Sequence, residues 1–527
     1  MHLIAAAPVV LVATAFAIPL IYLKIKSVKV FHAVALSVTL TVFFMTLLGY
    51  VYVSQVGEPV VYRMGGWPPP LGIVYEADSF STLLATYTAF IIVFVTLYSS
   101  WYLGSDTGTP YYYSLLLGLE AGLLGIYYTG DIFNLFVMLE VLGITCYGLV
   151  AYYRNSKEAV EASIKYAFFG ALAGLSYFLA AVITYASFGN LTMGLVAAES
   201  RPTFRLLTPF VDLFTWGNVI AAVAVILALS LWTFTFKAGI FPNHFWLPDA
   251  HPAAPTPISA ILSGLVVNAG AYTSARLLYT VFGVYDPLSS FYSLSPYLGT
   301  VLSALGAFSA IFASVMMLVQ NDVKRLIAYS TVMHLGLIFT GLSLGTPAGV
   351  KAATYHILTH AAGKALLFMS VGVAIEVSKT RRIPDLKAVG RLSPVVGIAI
   401  AAACFSLVGL PPLGGFFSKF ALYQAYIEVG RFELVAVLLA SSGIAMLGYL
   451  KVIYPTLFGS QTSDIETHRL GGPSMLLPLI ALIALLVILN PLVISLAIDS
   501  ASRSLVYADR YIIKALEAFV NYITSGG

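Results

Sequence analysis

Apolar runs of about twenty residues recur along almost the whole chain, divided by short polar breaks. As a helix, a run of that length rises far enough to cross the roughly 30 Å hydrocarbon core of a bilayer. Only helices and closed barrels satisfy their backbone groups there, so the runs predict an all-α polytopic membrane protein. At ~20 residues per span they make about fourteen crossings. These fall near 3–23, 30–54, 79–103, 111–129, 132–153, 160–188, 216–241, 257–282, 298–319, 323–343, 350–377, 393–424, 433–457 and 473–498. Composition agrees: 59% of the 527 residues are hydrophobic and 9% charged, against about 25% charged in a soluble domain.

The polar breaks supply an orientation. Lys24, Lys26, Lys29, Arg154, Lys157, Lys324, Arg325, Lys379, Arg381, Arg382, Lys387 and Arg391 fall in alternate loops. The opposite loops hold only Arg63, Arg201, Arg205, Lys351 and Arg431. The positive-inside rule puts the first set in the cytoplasm, and an even span count then puts both termini on the outer face of the cell membrane. The first run lacks a positive leader, which favours a retained span over a cleaved signal. Lys324 and Arg325 read as topology anchors. Residues 499–523 mix Arg503, Asp509, Arg510, Lys514 and Glu517 with apolar side chains, as an amphipathic helix on a membrane surface or a partner does.

A net charge of +4 carries no nucleic-acid signal. The two cysteines, Cys146 and Cys404, are isolated in apolar runs, too few for a disulfide framework or an ordinary iron–sulfur cluster. No nucleotide loop, flavin fingerprint or metal set is legible, so no cofactor and no catalytic chemistry are expected in this chain. Its driving energy would come from neighbouring subunits or an ion gradient.

Against this apolar background, titratable groups stand out. Lys237, Glu140, Lys165, His334, His356, His360, Lys364 and Lys419 all lie within or at the edges of apolar runs. A charge at mid-membrane costs roughly 2.5–3.5 kcal/mol on insertion scales, and such residues mark ion paths by default. Glu140 is half-way along its span, and Lys237 is the obvious ammonium to keep it ionised. A pair that opens and closes can trap or release a proton. A swing of three pKa units is about 4 kcal/mol, close to the roughly 3.5 kcal/mol of one charge crossing 150 mV. A static pair holding two helices is the plainer alternative.

Tyr355-His-Ile-Leu-Thr-His-Ala-Ala-Gly-Lys sets His356, His360 and Lys364 on one helical face. A protonated lysine is a poor metal ligand and no carboxylate adjoins, so a proton relay suits the stripe better than a metal site, with His334 able to join. For Lys165 and Glu120, a partner or surface role stands equally beside transfer. The proline-rich stretch from Pro242 to Pro257 carries His244, Asp249 and His251, which read as an ion inlet or as a satisfied loop network.

Two spans look interrupted, at Lys237-Ala-Gly-Ile-Phe-Pro and at Gly409-Leu-Pro-Pro-Leu-Gly-Gly-Phe-Phe-Ser-Lys419. Proline removes a donor and glycine permits unusual dihedrals, so a helix breaks at both. Broken helices at membrane depth survive where they line a cavity, and a matched pair is the mark of an inverted-repeat transporter. Simple kinks with snorkelling lysines are the alternative.

The stretch from Lys237 to Ala260 resembles the signature of the antiporter-like membrane subunits of respiratory complex I, of Mrp-type antiporters and of membrane-bound hydrogenases. Lys324-Arg-Leu-Ile-Ala-Tyr-Ser-Thr, Thr359-His-Ala-Ala-Gly-Lys-Ala-Leu-Leu-Phe and the Gly409–Lys419 break agree. Overall length looks most similar to the D-type subunits of Mrp antiporters. The resemblance implies two inverted five-helix repeats with two discontinuous helices, here within 111–282 and 298–457. They are flanked by N-terminal helices over 1–105 and a last span with the amphipathic helix over 473–527. It implies proton translocation, coupled or not to sodium, within a multi-subunit membrane assembly. Glu140 and Lys237 match the family's glutamate and partner lysine, Lys364 a central lysine and Lys419 the residue of the output path. Asn268 departs from the pattern: many relatives have a lysine there, linking the two half-channels. Asparagine takes no charge near neutral pH. Water or the His356/His360/Lys364 stripe would then carry the connection, or the chain is a non-conducting scaffold.

Overall fold

A computed structural model of the chain describes residues 2–205, 218–459 and 471–524. The first two helices, α1 (His2–Lys24) and α2 (Val28–Val56), lie at its edge and lead into a hairpin of β1 (Val60–Arg63) and β2 (Val74–Ala77). The strands pair antiparallel, Val60 opposite Ala77 and Arg63 opposite Val74. Asp78 then caps α3 (Ser79–Leu103) through a reciprocal bond with Ser81. Next come α4 (Thr109–Tyr128), α5 (Ile132–Val150), capped by the Asp131 carboxylate, and α6 (Lys157–Phe188), capped by Ser156. Two short helices, α7 (Met193–Glu199) and α8 (Pro202–Arg205), follow.

The expected breaks are both present. Helix α9 (Val219–Ala238) stops at Gly239, whose φ of 65° is the left-handed conformation that glycine adopts without strain. The chain turns before resuming as α10 (Leu247–Ala253). Likewise α17 (Pro394–Val408) stops at Gly409, φ 95°, and α18 (Gly414–Glu428) takes over. Residues 216–217 of the seventh expected span lie outside the described residues.

Between the breaks runs a stretch whose apolar pattern predicts a plain span. Thr256–Val281 is helical throughout, but α11 (Thr256–Ile261) and α12 (Val267–Ala275) are joined by π-turns at Leu262–Val266, with a second π segment at Arg276–Val281. Such widened turns collect at functional sites. Beyond lie α13 (Ser295–Val319), α14 (Val323–Leu342), α15 (Pro347–Ser378) and α16 (Val389–Leu392), with α19 (Phe432–Phe458) after α18. Lys324 is not a surface anchor as expected. It is 3% exposed, its ammonium drawn in to the Ala254 carbonyl at 2.8 Å.

Eleven described helices are long and apolar enough to cross a membrane, or twelve if the next two count as one bent span. Those two are α20 (Pro473–Ile488) and α21 (Pro491–Val506), which meet at 79°. The expected span 473–498 therefore breaks at Asn490, whose side chain caps the new helix while Pro491 fills its first turn. The expected single amphipathic helix over 499–523 is also divided, at Tyr507–Ala508, where α22 (Asp509–Thr524) begins. Helix α22 packs on α7 and β1, the same side on which His2 meets Tyr62 of the hairpin, ring centroids 5.6 Å apart.

Burial grades the helices. The most apolar windows of Thr256–Val281 and α15 are 100% buried and that of α14 is 89%, against 28% for α2 and 39% for α6. The buried axis is thus made of the helices that carry Asn268, His334, His356, His360 and Lys364.

Candidate functional site

Lys237 occupies the last turn of α9, just before the break, and is 1% exposed. The carbonyls at the end of α9 are taken by Gly239, Ile240 and Trp246, so the ammonium turns to a neighbouring helix. Nζ donates to the Leu139 carbonyl of α5 at 3.3 Å. Among the described residues, no ion pair within 4.0 Å joins it to Glu140. The expected pair is therefore open. Glu140 Oε1 is buried without a hydrogen-bond partner, its space provided by Gly174, where any Cβ would overlap that oxygen.

Tyr147, which no sequence motif singles out, stands beside Lys237. It lies seven residues after Glu140 and so on the same face of α5. Lys237 Nζ is 5.8 Å from its ring centroid. A Cβ at Gly143 would be 2.8 Å from the Tyr147 hydroxyl and 3.1 Å from Lys237 Nζ, so the two polar ends meet over that glycine. The i, i+7 spacing was the available signal.

The second half holds a connected set. His334 Nδ1 and His356 Nε2 are 3.0 Å apart, His334 Nε2 is 3.3 Å from the Tyr449 hydroxyl, and His356 Nδ1 is 3.0 Å from Ser418 Oγ. Ser418 in turn meets Thr359 Oγ1 at 2.8 Å. Each imidazole thus has one nitrogen toward the other ring and one toward a hydroxyl, an arrangement in which a proton taken at one nitrogen is given up at the other. His360 stacks on the same cluster, 5.4 Å from His334 between ring centroids, and both its nitrogens lack partners. Lys364, 0% exposed, donates to the Ile327 carbonyl at 3.0 Å and to Ser330 Oγ, with no carboxylate among its bonds.

Lys419 stands at the second break, on the helix that follows it rather than the one that precedes it. Its Nζ donates to the Val408 carbonyl, the end of α17, at 3.0 Å and to Ser442 Oγ at 2.8 Å. Asn268 sits on the axis between the halves. Its amide donates to Gly264 across the π-turn at 2.7 Å and to Ile357 of α15 at 3.5 Å, while Oδ1 has no partner.

The remaining expected residues lie toward the loop face that carries Arg325 and Arg381. Lys165 is half-exposed and pairs with Glu161 at 2.6 Å and Asp249 at 3.7 Å. Asp249 also binds Arg325 at 2.8 Å. These groups line a cavity of about 350 Å³ with Asp322 and Arg381. His251, 0% exposed, stacks on Phe368 at 4.9 Å with both nitrogens unpartnered, while His244 packs edge-on to Phe312 at 5.2 Å. No hydrogen bond joins His244, Asp249 and His251 to one another among the described residues. Glu120 of α4 is fully buried and neither of its oxygens has a partner. No group of three or more His, Cys, Asp or Glu side chains arranged to hold a metal occurs among the described residues.

Two broken helices, each with a buried lysine at its break, flank a buried axis of imidazole, hydroxyl and amide groups; together they define an antiporter-like membrane subunit. The sequence profile of the NADH:quinone oxidoreductase/Mrp antiporter transmembrane family matches residues 129–445, and the chain belongs to that family. It is 34% identical over 399 residues to NADH-quinone oxidoreductase subunit N of Desulforudis audaxviator, covering 75% of each chain. It is 28% identical over 451 residues to the Na+/H+ antiporter D-type subunit of Bacillus subtilis, covering 85% and 87%. Among solved structures, it superposes on a chain of the membrane-bound sulfane sulfur reductase, an archaeal respiratory membrane complex. The TM-score is 0.86 at 28% identity, over 98% of this chain and 100% of that one. A chain of the Mrp complex from Dietzia sp. DQ12-45-1b shares the fold, with a TM-score of 0.83 at 24% identity over 98% and 100%.

Proposed function

We propose that this chain translocates protons across the cell membrane as one subunit of a larger membrane assembly. The reading is carried by one observation: Lys237, Lys364 and Lys419 are buried with only carbonyl and hydroxyl partners, no carboxylate fixing any of them as a permanent ion pair. An ammonium held that way can lose its proton to a neighbour and regain it, which a closed salt bridge resists.

In this scheme protons enter from the cytoplasm through the cavity beside Asp249 and Lys165, with His251 beneath it. The opening and closing of Glu140 against Lys237, with Tyr147 alongside, sets the charge on Lys237. The proton then passes along Lys364, His360, His334 and His356 to Lys419, in the second of two repeats spanning 111–282 and 298–457. Water at Asn268 joins the halves, because an amide can orient water but cannot carry the charge. Both termini face outward.

The names of the relatives support membership of an assembly driven either by redox chemistry or by an ion gradient. Isolating the native complex decides between them: iron–sulfur subunits mean redox drive, and their absence means secondary antiport with sodium as the candidate counter-ion. Asn268 favours a second reading, a scaffold that conducts nothing. Ion transport by the reconstituted assembly carrying Lys237→Ala separates the two, since conduction through this chain predicts loss and a scaffold predicts none.

A further inference from the structure

A second buried ionisable cluster lies where β2, α3 and α22 meet the end of the Thr256–Val281 segment. Asp78 and Arg276 form a two-pronged pair, Oδ2 to Nη1 at 2.7 Å and Oδ1 to Nη2 at 2.9 Å, 1% and 3% exposed at their side chains. The guanidinium is walled by rings, 5.7 Å from Phe80, 5.4 Å from Tyr272 and 5.2 Å from Tyr511. Asp78 and Arg276 thus satisfy each other and make a fixed, neutral unit.

Glu76 beside them does not fit that unit. It is 1% exposed in β2, yet neither carboxyl oxygen has a well-formed hydrogen bond. Gly194 of α7 lies against it, where a Cβ would be 3.1 Å from Oε2 and would also overlap Ala515 of α22. The Tyr511 hydroxyl of α22 faces the carboxyl and is itself without a well-formed bond. Tyr511 and Asp78 also line an open cleft of about 650 Å³, with Glu58, Asp499, Arg503 and Arg510 at its rim. Tyr511 therefore adjoins both the carboxyl and the cleft.

The cluster is tied to the central axis by α12. Asn268, Tyr272 and Arg276 stand at i, i+4 and i+8, one helical face, about 6 Å of rise apart. Arg276 Nη2 donates to the Tyr272 hydroxyl at 3.2 Å. The same stripe thus begins beside α15 and ends at Asp78.

Resting on the translocation reading above, we propose that Glu76 is a proton-exchange site, a buried carboxyl that trades its proton with water in the cleft beside α22, with Tyr511 as the gate. Burial pushes the Glu76 carboxyl well above the usual carboxylate range, Asp78 adds to the rise, and Arg276 and Tyr511 oppose it. The closed state therefore holds a neutral acid, and displacement of Tyr511 lets water reach it and the proton leave.

Infrared difference titration of the full-length chain in lipid nanodiscs tests this. The wild type should show a protonated-carboxyl band that titrates and shifts in heavy water. Glu76→Gln should lose that band, and Tyr511→Phe should keep it while changing how fast it exchanges. An unchanged spectrum in Glu76→Gln overturns the inference, as does a Glu76 band that neither titrates nor exchanges, which marks a sealed structural acid. Transport by the assembled complex separates this inference from the reading it rests on. Loss in Lys237→Ala with undiminished transport in Glu76→Gln refutes the role of Glu76 alone, whereas undiminished transport in Lys237→Ala refutes translocation through the chain.

Discussion

The Lys237 ammonium donates to the Leu139 carbonyl at 3.3 Å and stops short of the carboxyl on the next residue, Glu140. A closed pair would hold both groups charged, since opposite charges in contact favour the ionised forms. Standing open, neither group is fixed by the other: Lys237 is held by a carbonyl of α5, and Glu140 Oε1 is buried without a hydrogen-bond partner.

Tyr147→Phe removes one hydroxyl and keeps the ring that packs there. The hydroxyl makes no well-formed bond, so stability should change little. Losing it as the polar group beside Lys237 should slow translocation about tenfold, a barrier increase of about 1.4 kcal/mol. Proton flux into liposomes carrying the assembled complex checks this.

Gly174→Ala should impair the same step from the other side. The new methyl overlaps Glu140 Oε1 and must displace it. The displaced atom is the end of a flexible side chain, so stability should change little while the position of the carboxyl changes. Because the damage acts through Glu140, transport in Gly174→Ala/Glu140→Gln should equal that of Glu140→Gln alone, as a double-mutant comparison measures.

Lys419→Met leaves the Val408 carbonyl at the end of α17 without its donor. A buried group stranded in this way costs about 1–3 kcal/mol. The first thermal transition of the purified protein should move down, and Lys419→Arg should recover part of the loss by restoring a donor.

The seating of α22 should depend on pH in a defined direction. Lys514 pairs with Glu58 at 2.9 Å and holds the Glu58 carboxyl below its usual range. A lowered acid contributes stability above its unfolded pKa of 4.5, and that contribution is lost as pH falls through the lower folded value. Glu76 has the opposite sign: its raised pKa favours the closed state at low pH, and the advantage fades as pH rises. The Glu58 pair is exposed and therefore weak, so the Glu76 trend should dominate. After correction for intrinsic exchange, hydrogen exchange of α22 should quicken with rising pH, and Glu76→Gln should flatten that trend.

What the sequence disclosed follows from how local each signal is. Crossings are written in apolar runs, and the breaks at Gly239 and Gly409 in adjacent glycine and proline, so both were legible. The stripe of His356, His360 and Lys364 was legible because it lies on one helix. The hydroxyls of Ser418 and Tyr449 were not, because they meet the imidazoles only through packing of α18 and α19 on α14 and α15. Lys324 misled the reading because a lysine next to an arginine at a helix start looks solvated, and only the fold brings the Ala254 carbonyl over it. Asn490-Pro491 did carry a local helix-start signal, but the apolar run continuing through it hid the bend. The Asp78–Arg276 pair spans nearly two hundred positions, beyond the reach of any spacing argument.

The central claim is that charge moves through the buried lysines of this chain. Proton flux in liposomes containing the complete assembly, wild type against Lys237→Ala at matched subunit content, measures it directly. The account predicts that flux collapses in the variant while the assembly stays whole. Flux equal to wild type would contradict it.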